Sequence, residues 1–263
     1  VLKLELDGQP ESLRTSMTAM LADPAVSEVE PDYVQRTDAV NDPYFSSRGA
    51  WGQAYQDQWY LHIASAPQAW SLASTAAPPV VVAVIDTGID RNHPDLAGQV
   101  WSNGGEIAGN GIDDDQNGFV DDVYGWNFAA ENNDSLDTYG HGTLVAGIIG
   151  ARQDNAFGIA GAAPHVRLMA LRNGGAGGSY VSDSIAALYY AVNNGATAVN
   201  MSFGGANHST AFADAIRYAM DHKVVMVASS GNNGAELSTH YPSGYPGVIS
   251  VGASDDADQV ASF

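Results

Sequence analysis

The chain has 263 residues, of which 45% are hydrophobic and 15% are charged. This length can bury one full-sized hydrophobic core, so disordered and coiled-coil proteins are excluded. There are 30 acidic and 10 basic residues, and the net charge of -20 disfavours partners such as nucleic acid or an anionic membrane surface. The sequence has no cysteine, which excludes a disulfide scaffold, a thiolate zinc site and a cysteine nucleophile. No apolar run reaches the roughly 18 residues of a membrane-spanning helix.

Residues 1–36 predict about half of a small α/β unit. Residues 1–6 alternate between apolar and polar types as a strand does, a helical pattern follows from Leu13 to Leu21, and a third stretch covers residues 26–34. Residues 37–66 are rich in Asp, Ser, Gly, Gln and aromatic types, which indicates an extended surface segment and a domain boundary.

From residue 67 onward, short apolar runs alternate with amphipathic stretches. The runs are rich in β-branched residues without polar alternation, which is typical of strands buried on both faces. Strands that alternate with helices predict a mostly parallel α/β sheet, whose ligands bind beyond the carboxyl ends of the strands. We therefore expect functional residues in the loops that follow the runs. The predicted strands are Val80–Ile85, Val166–Leu171, Ala196–Ser202, Val224–Ser229 and Val248–Gly252, and the predicted helices are Thr143–Gly150, Ser182–Asn193 and Ala211–Asp221.

The first of these runs is followed directly by Asp86-Thr87-Gly88. A carboxylate at this place can orient a catalytic partner, although a turn aspartate gives the same pattern. Asp-Thr-Gly also marks aspartic proteases, which need two carboxylates that share one proton. The chain has no second Asp-Thr-Gly and no Asp-Ser-Gly, so that class is disfavoured.

Two further segments carry groups suited to catalysis. His141 lies between two glycines at the start of a predicted helix, so other backbone can approach its ring closely. A lone histidine is otherwise more often a surface or core residue. Asn232 lies in a glycine-rich loop after a predicted strand, where its amide can donate to a developing oxyanion. An ordinary Asn-Gly turn is the alternative interpretation of that loop.

Residues 113–122 form a strongly acidic segment, Asp-Asp-Asp-Gln-Asn-Gly-Phe-Val-Asp-Asp. So many like charges repel each other unless a cation binds. Acidic or amide residues at alternate positions before a glycine match the first half of an EF-hand loop, but Tyr124 stands where its final glutamate would be. The segment predicts a calcium loop other than an EF-hand, and a solvated acidic loop is the alternative. The expected ligands are Asp113, Asp115, Asn117, the carbonyl of Phe119, and Asp121 or Asp122.

Taken together, these motifs resemble the subtilisin-like serine proteases, in particular their thermitase-like branch. Asp-Thr-Gly, Gly-His-Gly-Thr and Ser-Gly-Asn occur in the family's order, and the resemblance extends from about Asn41 to Phe263. It implies a three-layer α/β fold with a mostly parallel central sheet and a serine endopeptidase activity. Further matching segments are Asn41–Phe45, Gln58–Leu61, Ala66–Trp70, His93–Leu96, Gly158–Pro164 and Asn200–Gly205.

The resemblance gives each candidate catalytic residue a role. Asp86 would hold the imidazole tautomer, His141 would act as general base and then general acid, and Asn232 would donate to the oxyanion. Leu144 stands where the family usually has a second histidine, and we expect it to change packing rather than chemistry. The family's nucleophile lies in a Gly-Thr-Ser-Met-Ala motif, which does not occur up to Phe263. We therefore expect the serine beyond Phe263 and an inactive 263-residue chain.

The family binds a peptide as an extra strand between two exposed edges. A dinucleotide-binding loop is the weaker interpretation of Gly174 to Gly178, since Tyr180 occupies the third glycine's place. By resemblance, the peptide-binding positions are Gly177, Gly178 and Ser179 on one edge, Ser202, Phe203 and Gly204 on the other, and Ser229, Ser230 and Gly231 around the primary specificity pocket.

A second calcium site follows from the resemblance alone. Its ligands would be Asp95, the side chain of Asn155 and the carbonyls of Gln153, Phe157 and Ile159, with Asp42 capping it from the N-terminal segment.

The resemblance also implies a domain organisation. Residues 1–36 would be part of an α+β propeptide that inhibits its own enzyme, residues 37–66 an N-terminal extended segment, and residues 67–263 a catalytic domain incomplete at its C-terminus. By this resemblance, propeptide cleavage would fall somewhere between Val34 and Asn41, and a chain without its nucleophile is expected to stay unprocessed. We expect a secreted, extracellular monomer that acts on peptides or proteins, and any targeting segment would precede Val1. The alternative is a non-catalytic calcium- or peptide-binding module with this fold.

Overall fold

The computed structural model of the chain describes residues 10–27, 29, 40–73, 78–234 and 240–263. Its contacts divide the chain into two compact units, residues 1–39 and 40–263. In the first unit, helix α1 (Pro10–Leu21) contains the predicted helical stretch. The strand predicted at residues 1–6 and most of residues 26–34 lie outside the described residues. No helix within the described residues is long and apolar enough to cross a membrane.

The second unit is built on a six-stranded parallel sheet with the strand order β2-β3-β1-β6-β7-β8. All five predicted strands are confirmed to within two residues at each end. Two further features were not predicted: β2, which is three residues long and has no apolar run, and a separate antiparallel hairpin of β4 and β5. The strands are β1 (Val80–Asp86), β2 (Gly125–Asn127), β3 (Val166–Arg172), β4 (Gly174–Gly175), β5 (Gly178–Ser179), β6 (Ala198–Met201), β7 (Val225–Ser229) and β8 (Val248–Val251).

Helices cover both faces of the sheet and make three layers. On one face, Ile85 of β1 packs in a core cluster with residues of α6 (Val181–Asn193) and α7 (Thr210–Asp221). On the other face, Val84 packs with Ala146 of α5 (His141–Gly150). Successive residues of a strand point to opposite faces, so an uninterrupted apolar run fills both interfaces. The predicted three-layer α/β fold is confirmed.

The register of the sheet brings the carboxyl ends of three strands to one level. Ile85 of β1 lies opposite Met201 of β6, which lies opposite Ala228 of β7. Asp86 therefore ends its strand level with Ser202 and Ser229. After β3 the chain crosses to the other side of β1, where β6 pairs. Such a change of direction opens a crevice at the carboxyl edge of a sheet.

The segment predicted to be extended, residues 37–66, is partly helical. It contains α2 (Pro43–Ser46) and α3 (Trp59–Ile63), and α4 (Ala66–Leu72) follows directly. Phe45 and Leu61 are buried with Ala66 and Ala160 in a core cluster of their own. The polar composition gave no indication of these few apolar anchors, and part of the segment predicted to be extended is helical and buried.

One half of the sheet keeps an exposed apolar face. Val225, Ile249 and Val251 of β7 and β8 are each about half exposed, at 48%, 54% and 48%. Met226 and Ala228 point to the opposite face, where they are buried in the cluster with α7. The α5 layer covers β1 and β3, and the described residues place no helix over β7 and β8 on that side.

Replacing Ile85 with alanine should lower the free energy of unfolding by about 2 to 5 kcal/mol, because the side chain is fully buried at the centre of the sheet. Chemical denaturation of the protein measures this loss. Leu72→Ala is the control, since Leu72 is 86% exposed and should change stability by less than about 0.5 kcal/mol. Equal losses for the two variants would contradict the central position of β1.

Candidate active site

Asp86 and His141 meet in a short hydrogen bond at the carboxyl edge of the sheet. The Nδ1 atom of His141 lies 2.7 Å from Oδ1 of Asp86. The Asp86 side chain is 3% exposed and the His141 side chain 47% exposed. An ionised carboxylate can only accept, so Nδ1 carries the proton and Nε2 is the basic nitrogen. The pair therefore presents an oriented proton acceptor to solvent.

Close approach between α5 and the end of β1 requires a glycine after His141. A Cβ atom on Gly142 would lie 2.1 Å from the carbonyl oxygen of Gly88 and 3.2 Å from Oδ1 of Asp86. Both contacts are shorter than ordinary van der Waals separation, and the first is with backbone that cannot move aside. Gly142 is one of the two glycines predicted to allow close approach of other backbone, and the backbone that approaches it is the Asp-Thr-Gly turn.

Asp137, which the sequence analysis missed, holds the loop that leads into His141. Its Oδ1 accepts hydrogen bonds from the amides of Tyr139 and Gly140 and from the Thr87 hydroxyl, at 2.9, 2.8 and 3.0 Å. Its Oδ2 accepts from the amide and hydroxyl of Thr143, at 2.9 and 2.6 Å. The available signal was an acidic residue four positions before His141 and six before the predicted helix. One carboxylate thus joins the ends of β1 and α5.

Two opposing effects act on the pKa of Asp137. Partial burial raises it, while the hydrogen bonds from Gly140, Thr143 and Tyr139 stabilise the ionised form and together hold the pKa below its usual range. The two threonines that donate to Asp137 also accept hydrogen bonds. The Thr87 hydroxyl accepts from the Gly142 amide and the Thr143 hydroxyl from the Asp90 amide, both at 2.9 Å.

Asp86 itself is incompletely satisfied. Its Oδ1 accepts from the Thr87 amide at 2.7 Å as well as from His141. Its Oδ2 is buried, and no described residue donates a hydrogen bond to it. A buried carboxylate oxygen without a donor is destabilising, so this residue type is not explained by the stability of the fold.

The predicted peptide-binding residues lie in three loops at the same edge. Gly177, Gly178 and Ser179 belong to the β4–β5 hairpin, which follows β3 on one side of β1. Residues 202–204 follow β6 on the other side of β1. The side-chain amide of Asn200 donates a hydrogen bond to the Ser202 hydroxyl at 2.9 Å. Phe203 packs against the core cluster of α6 and α7.

The third loop leaves β7. Ser229 is the last residue of that strand, and the Ser230 amide donates to the Val251 carbonyl at 2.9 Å. Gly231 adopts a left-handed conformation with φ of 91°. Asn232 follows and is exposed. The ring of His240, which the sequence analysis did not select, lies against both Gly204 and Gly231.

The acidic loop brings together two of its predicted ligands and one residue that was missed. One carboxylate oxygen each from Glu106, Asp113 and Asp115 lies within 4.8 Å of the others. Asp113 also accepts from the Asn117 and Gly118 amides at 3.0 and 2.8 Å. Glu106 precedes the acidic run by seven positions, so the alternating pattern did not include it.

The other predicted ligands of this loop have different surroundings. Asp121 accepts from the amides of Asn110 and Gly111 at 3.1 and 2.9 Å. Asp122 is fully buried and accepts from the Asn117 side chain at 2.9 Å and from the Tyr190 hydroxyl. Burial and then the Asp122 carboxylate raise the pKa of Tyr190 well above its usual range. The Phe119 ring packs edge-on against Tyr190.

All residues of the second predicted calcium site except Gln153 are joined to one another by hydrogen bonds. Asp95 and Asp42 are buried, at 3% and 1% exposure. Asp95 accepts from the Asn155 side chain and the Ile159 amide, both at 2.8 Å. Burial, with a smaller contribution from the negative charges of Asp154 and Asp95, raises the pKa of Asp42 despite hydrogen bonds from two amides. The two remaining members flank Asn155: the Gln153 side chain donates to the Gly161 carbonyl, and the Phe157 amide donates to Asn155.

Replacing Asp137 with asparagine should lower the free energy of unfolding at neutral pH by about 2 kcal/mol or more, because charge-assisted hydrogen bonds to the loop are lost. A carboxylate whose folded pKa is depressed stabilises the fold above its unfolded pKa of about 4, and this contribution disappears as the pH falls through the folded pKa. Urea unfolding at pH 7 and near pH 3 should therefore show a difference that shrinks in acid. The control is Asp134→Asn, an exposed neighbour that accepts one amide hydrogen bond. A pH-independent loss would contradict the role of the charge.

Comparison with known proteins agrees with this geometry. A family model described as "Subtilase family" matches residues 78–263. The "Thermophilic serine proteinase" of Bacillus sp. (strain AK1) is 35% identical over 247 residues, which are 93% of this chain and 53% of that protein. "Thermitase" of Thermoactinomyces vulgaris is 34% identical over 85% of this chain and 68% of its own length. "Fervidolysin" of Fervidobacterium pennivorans is 36% identical over 89% of this chain and 32% of its own length. The chain thus spans about half the length of the first of these relatives, and it belongs to the subtilase family.

Proposed function

We propose that the protein is a serine endopeptidase whose general base is His141. The observation that carries this proposal is the 2.7 Å hydrogen bond from Nδ1 of His141 to the buried Asp86. This bond fixes the neutral tautomer and leaves Nε2 available to a nucleophile. Peptidase activity is supported by the subtilase family and by relatives named as proteinases.

In the proposed reaction, a serine Oγ attacks the carbonyl carbon of the substrate and transfers its proton to Nε2 of His141. Asp86 stabilises the imidazolium ion that forms. Asn232 donates its amide N–H to the oxyanion, consistent with its exposed position after β7. His141 then gives the proton to the leaving nitrogen as the C–N bond breaks, and water hydrolyses the acyl-enzyme by the same route.

The nucleophile is proposed to lie in a segment that follows Phe263 along the chain. Support comes from the exposed apolar face of β7 and β8, where Val225, Ile249 and Val251 are about half exposed. A contiguous apolar face of this kind is usually covered by another element. A segment packed there would lie next to β7, whose carboxyl end leads into the loop of Asn232.

The peptide substrate is proposed to lie between the β4–β5 hairpin and residues 202–204. These two edges flank β1, so a chain bound between them would pass over Asp86 and His141. Both edges carry glycines, which leave backbone groups open to a peptide that pairs as a strand. The net charge of -20 makes cationic or neutral substrates more favourable than strongly acidic ones.

Bound calcium is proposed at both acidic sites, and the residues present fit this ion. In the acidic loop, Glu106, Asp113 and Asp115 offer only oxygen ligands, which Ca²⁺ prefers. At the second site, two buried carboxylates, Asp42 and Asp95, both accept hydrogen bonds from the loop of residues 154–159. The ion would neutralise these charges and hold the loops, without taking part in the reaction.

Secretion and a propeptide role for residues 1–36 are also part of the proposal. A protease named "Minor extracellular protease Epr" from Bacillus subtilis (strain 168) is 33% identical over 79% of this chain. Helix α1 is consistent with the helical part of the predicted α+β propeptide. We propose that the mature enzyme acts outside the cell as a monomer.

Replacing His141 with alanine in the full-length protein should reduce casein hydrolysis by about 10²- to 10⁴-fold, because the general base is lost. The rate of peptide release from casein measures this effect. His222→Ala is the matched control. His222 is exposed at the end of α7, and its Nδ1 lies 2.8 Å from the Tyr218 carbonyl oxygen in the same helix. Wild-type rates in His141→Ala would contradict the proposal, and a wild-type protein that binds peptide without cleaving it would be the non-catalytic module.

Removal of calcium should lower the melting temperature, because an ion that binds only the folded state stabilises it. At a calcium concentration of 100 times Kd the stabilisation is about 2.7 kcal/mol per site. Thermal melts with calcium and with a chelator measure the shift. The shift should shrink in Asp113→Asn and stay unchanged in Asp256→Asn, which alters an exposed carboxylate outside both sites. Identical melts with calcium and with the chelator would exclude the ion.

A further inference from the structure

The imidazole of His240 lies between two of the segments proposed to hold the substrate. A Cβ atom on Gly204 would lie 2.2 Å from its Cε1 and 2.7 Å from its Nε2. A Cβ atom on Gly231 would lie 2.9 Å from its Cδ2 and 3.0 Å from its Nε2. The ring is therefore in direct contact with both glycines. Its Nε2 edge is the part that both glycines approach.

The backbone around His240 is fixed against the loop after β6. Tyr241 and Gly205 exchange two backbone hydrogen bonds, of 2.8 and 2.9 Å. The Gly244 amide donates to the His240 carbonyl at 2.7 Å. The side chain is held as well, because Nδ1 of the ring lies 2.9 Å from the Ser243 hydroxyl oxygen. These contacts keep the imidazole beside Gly204 and Gly231.

A neighbouring serine favours one tautomer of this ring. The Ser243 hydroxyl donates to the His240 carbonyl at 3.2 Å, and its oxygen lies 2.9 Å from Nδ1. A hydroxyl has one proton, so the arrangement that satisfies both contacts has Nδ1–H donating to the serine oxygen. Nε2 then carries a lone pair. No described residue donates a hydrogen bond to Nε2, and His240 is only partly buried.

We propose that His240 determines which substrate side chain this pocket accepts. The residue concerned is P1, on the amino side of the cleaved bond, and the inference rests on the proposed peptidase function and on the proposed pocket of residues 229–231. The pocket takes a P1 side chain of moderate size that carries an N–H or O–H donor, and glutamine is the representative. Large aromatic P1 side chains are disfavoured.

The two parts of this preference have separate causes. The imidazole occupies space that would be open between Gly204 and Gly231 if residue 240 had no side chain, so the ring limits the size of P1. The lone pair on Nε2 accepts a hydrogen bond, and a P1 group without a donor leaves that acceptor desolvated and unpaired. Size and hydrogen bonding therefore act on the same side chain.

The test compares kcat/KM of the full-length protease on a series of peptides that differ only at P1, with Gln, Glu, Leu and Phe. The wild type should prefer Gln to Phe by about tenfold or more, the range that pocket contacts of this kind provide. Casein hydrolysis is followed in parallel. A wild type that hydrolyses neither casein nor any of the peptides would contradict the peptidase function. A preference for Phe over Gln in an active enzyme would overturn only this inference.

Two substitutions separate size from hydrogen bonding. His240→Gly opens the pocket and should shift the Phe-to-Gln ratio of kcat/KM towards Phe by about tenfold or more. His240→Phe keeps a ring but removes the acceptor, so it should lose the preference for Gln over Leu while still disfavouring Phe. His222→Ala is the control and should keep the wild-type ratios.

Three results would overturn the inference: unchanged ratios in His240→Gly, a retained preference for Gln over Leu in His240→Phe, or a wild-type preference for Glu over Gln. The last result would mean that Nε2 donates rather than accepts. The ratios compare substrates of one enzyme preparation, so partial misfolding of a variant lowers all rates together and leaves them readable.

Discussion

The hydrogen bond between Asp86 and His141 joins two elements that the fold must hold at a fixed separation. Asp86 ends the central strand β1, and His141 begins α5, which packs on the face of the same strand. The 2.7 Å contact exists only because Gly142 lets the helix start touch the turn at Gly88. Packing of α5 through Ala146 and the carboxylate of Asp137 keeps that distance. The sheet, the helix and the loop before it therefore act as one support for the imidazole.

The negative charge of the protein is distributed in two ways that have opposite physical effects. Asp137 is surrounded by donors, so its charge is satisfied by the protein itself and contributes to stability. One oxygen each of Glu106, Asp113 and Asp115 lies within 4.8 Å of the others, and the calcium ion that we propose there would relieve their repulsion. The stability of the first arrangement depends on pH, and under this proposal that of the second depends on calcium as well. Surface charges beyond these clusters favour solubility rather than any particular fold.

The sequence predicted most of the sheet because its strands are short β-branched runs buried on both faces, as in Val80–Asp86 and Val166–Arg172. Strand β2 was not predicted, because residues Gly125–Asn127 contain no apolar run and form a strand only by pairing with β3. Asp86 and His141 were found because each lies in a recognisable motif that contains glycine, and the structure places them in contact.

Residues whose importance comes from tertiary contacts could not be found in the same way. Nothing in the local sequence of His240 distinguishes it from a surface histidine, since its partner Gly204 lies 36 positions away. Glu106 likewise joins the acidic loop only after the chain has folded back on itself. Asp137 had a weak signal as a cap before a helix, but the five donors that converge on it come from two different motifs.

The unpaired Oδ2 atom of Asp86 shows where the demands of stability and of chemistry diverge. A carboxylate that is 3% exposed and has one oxygen without a donor among the described residues weakens the fold that contains it. An uncharged residue of similar size would suit the packing at the end of β1 better. Evolution towards thermal resistance is therefore expected to leave this position unchanged and to accumulate its gains elsewhere, as in the cluster around Phe45 and Leu61.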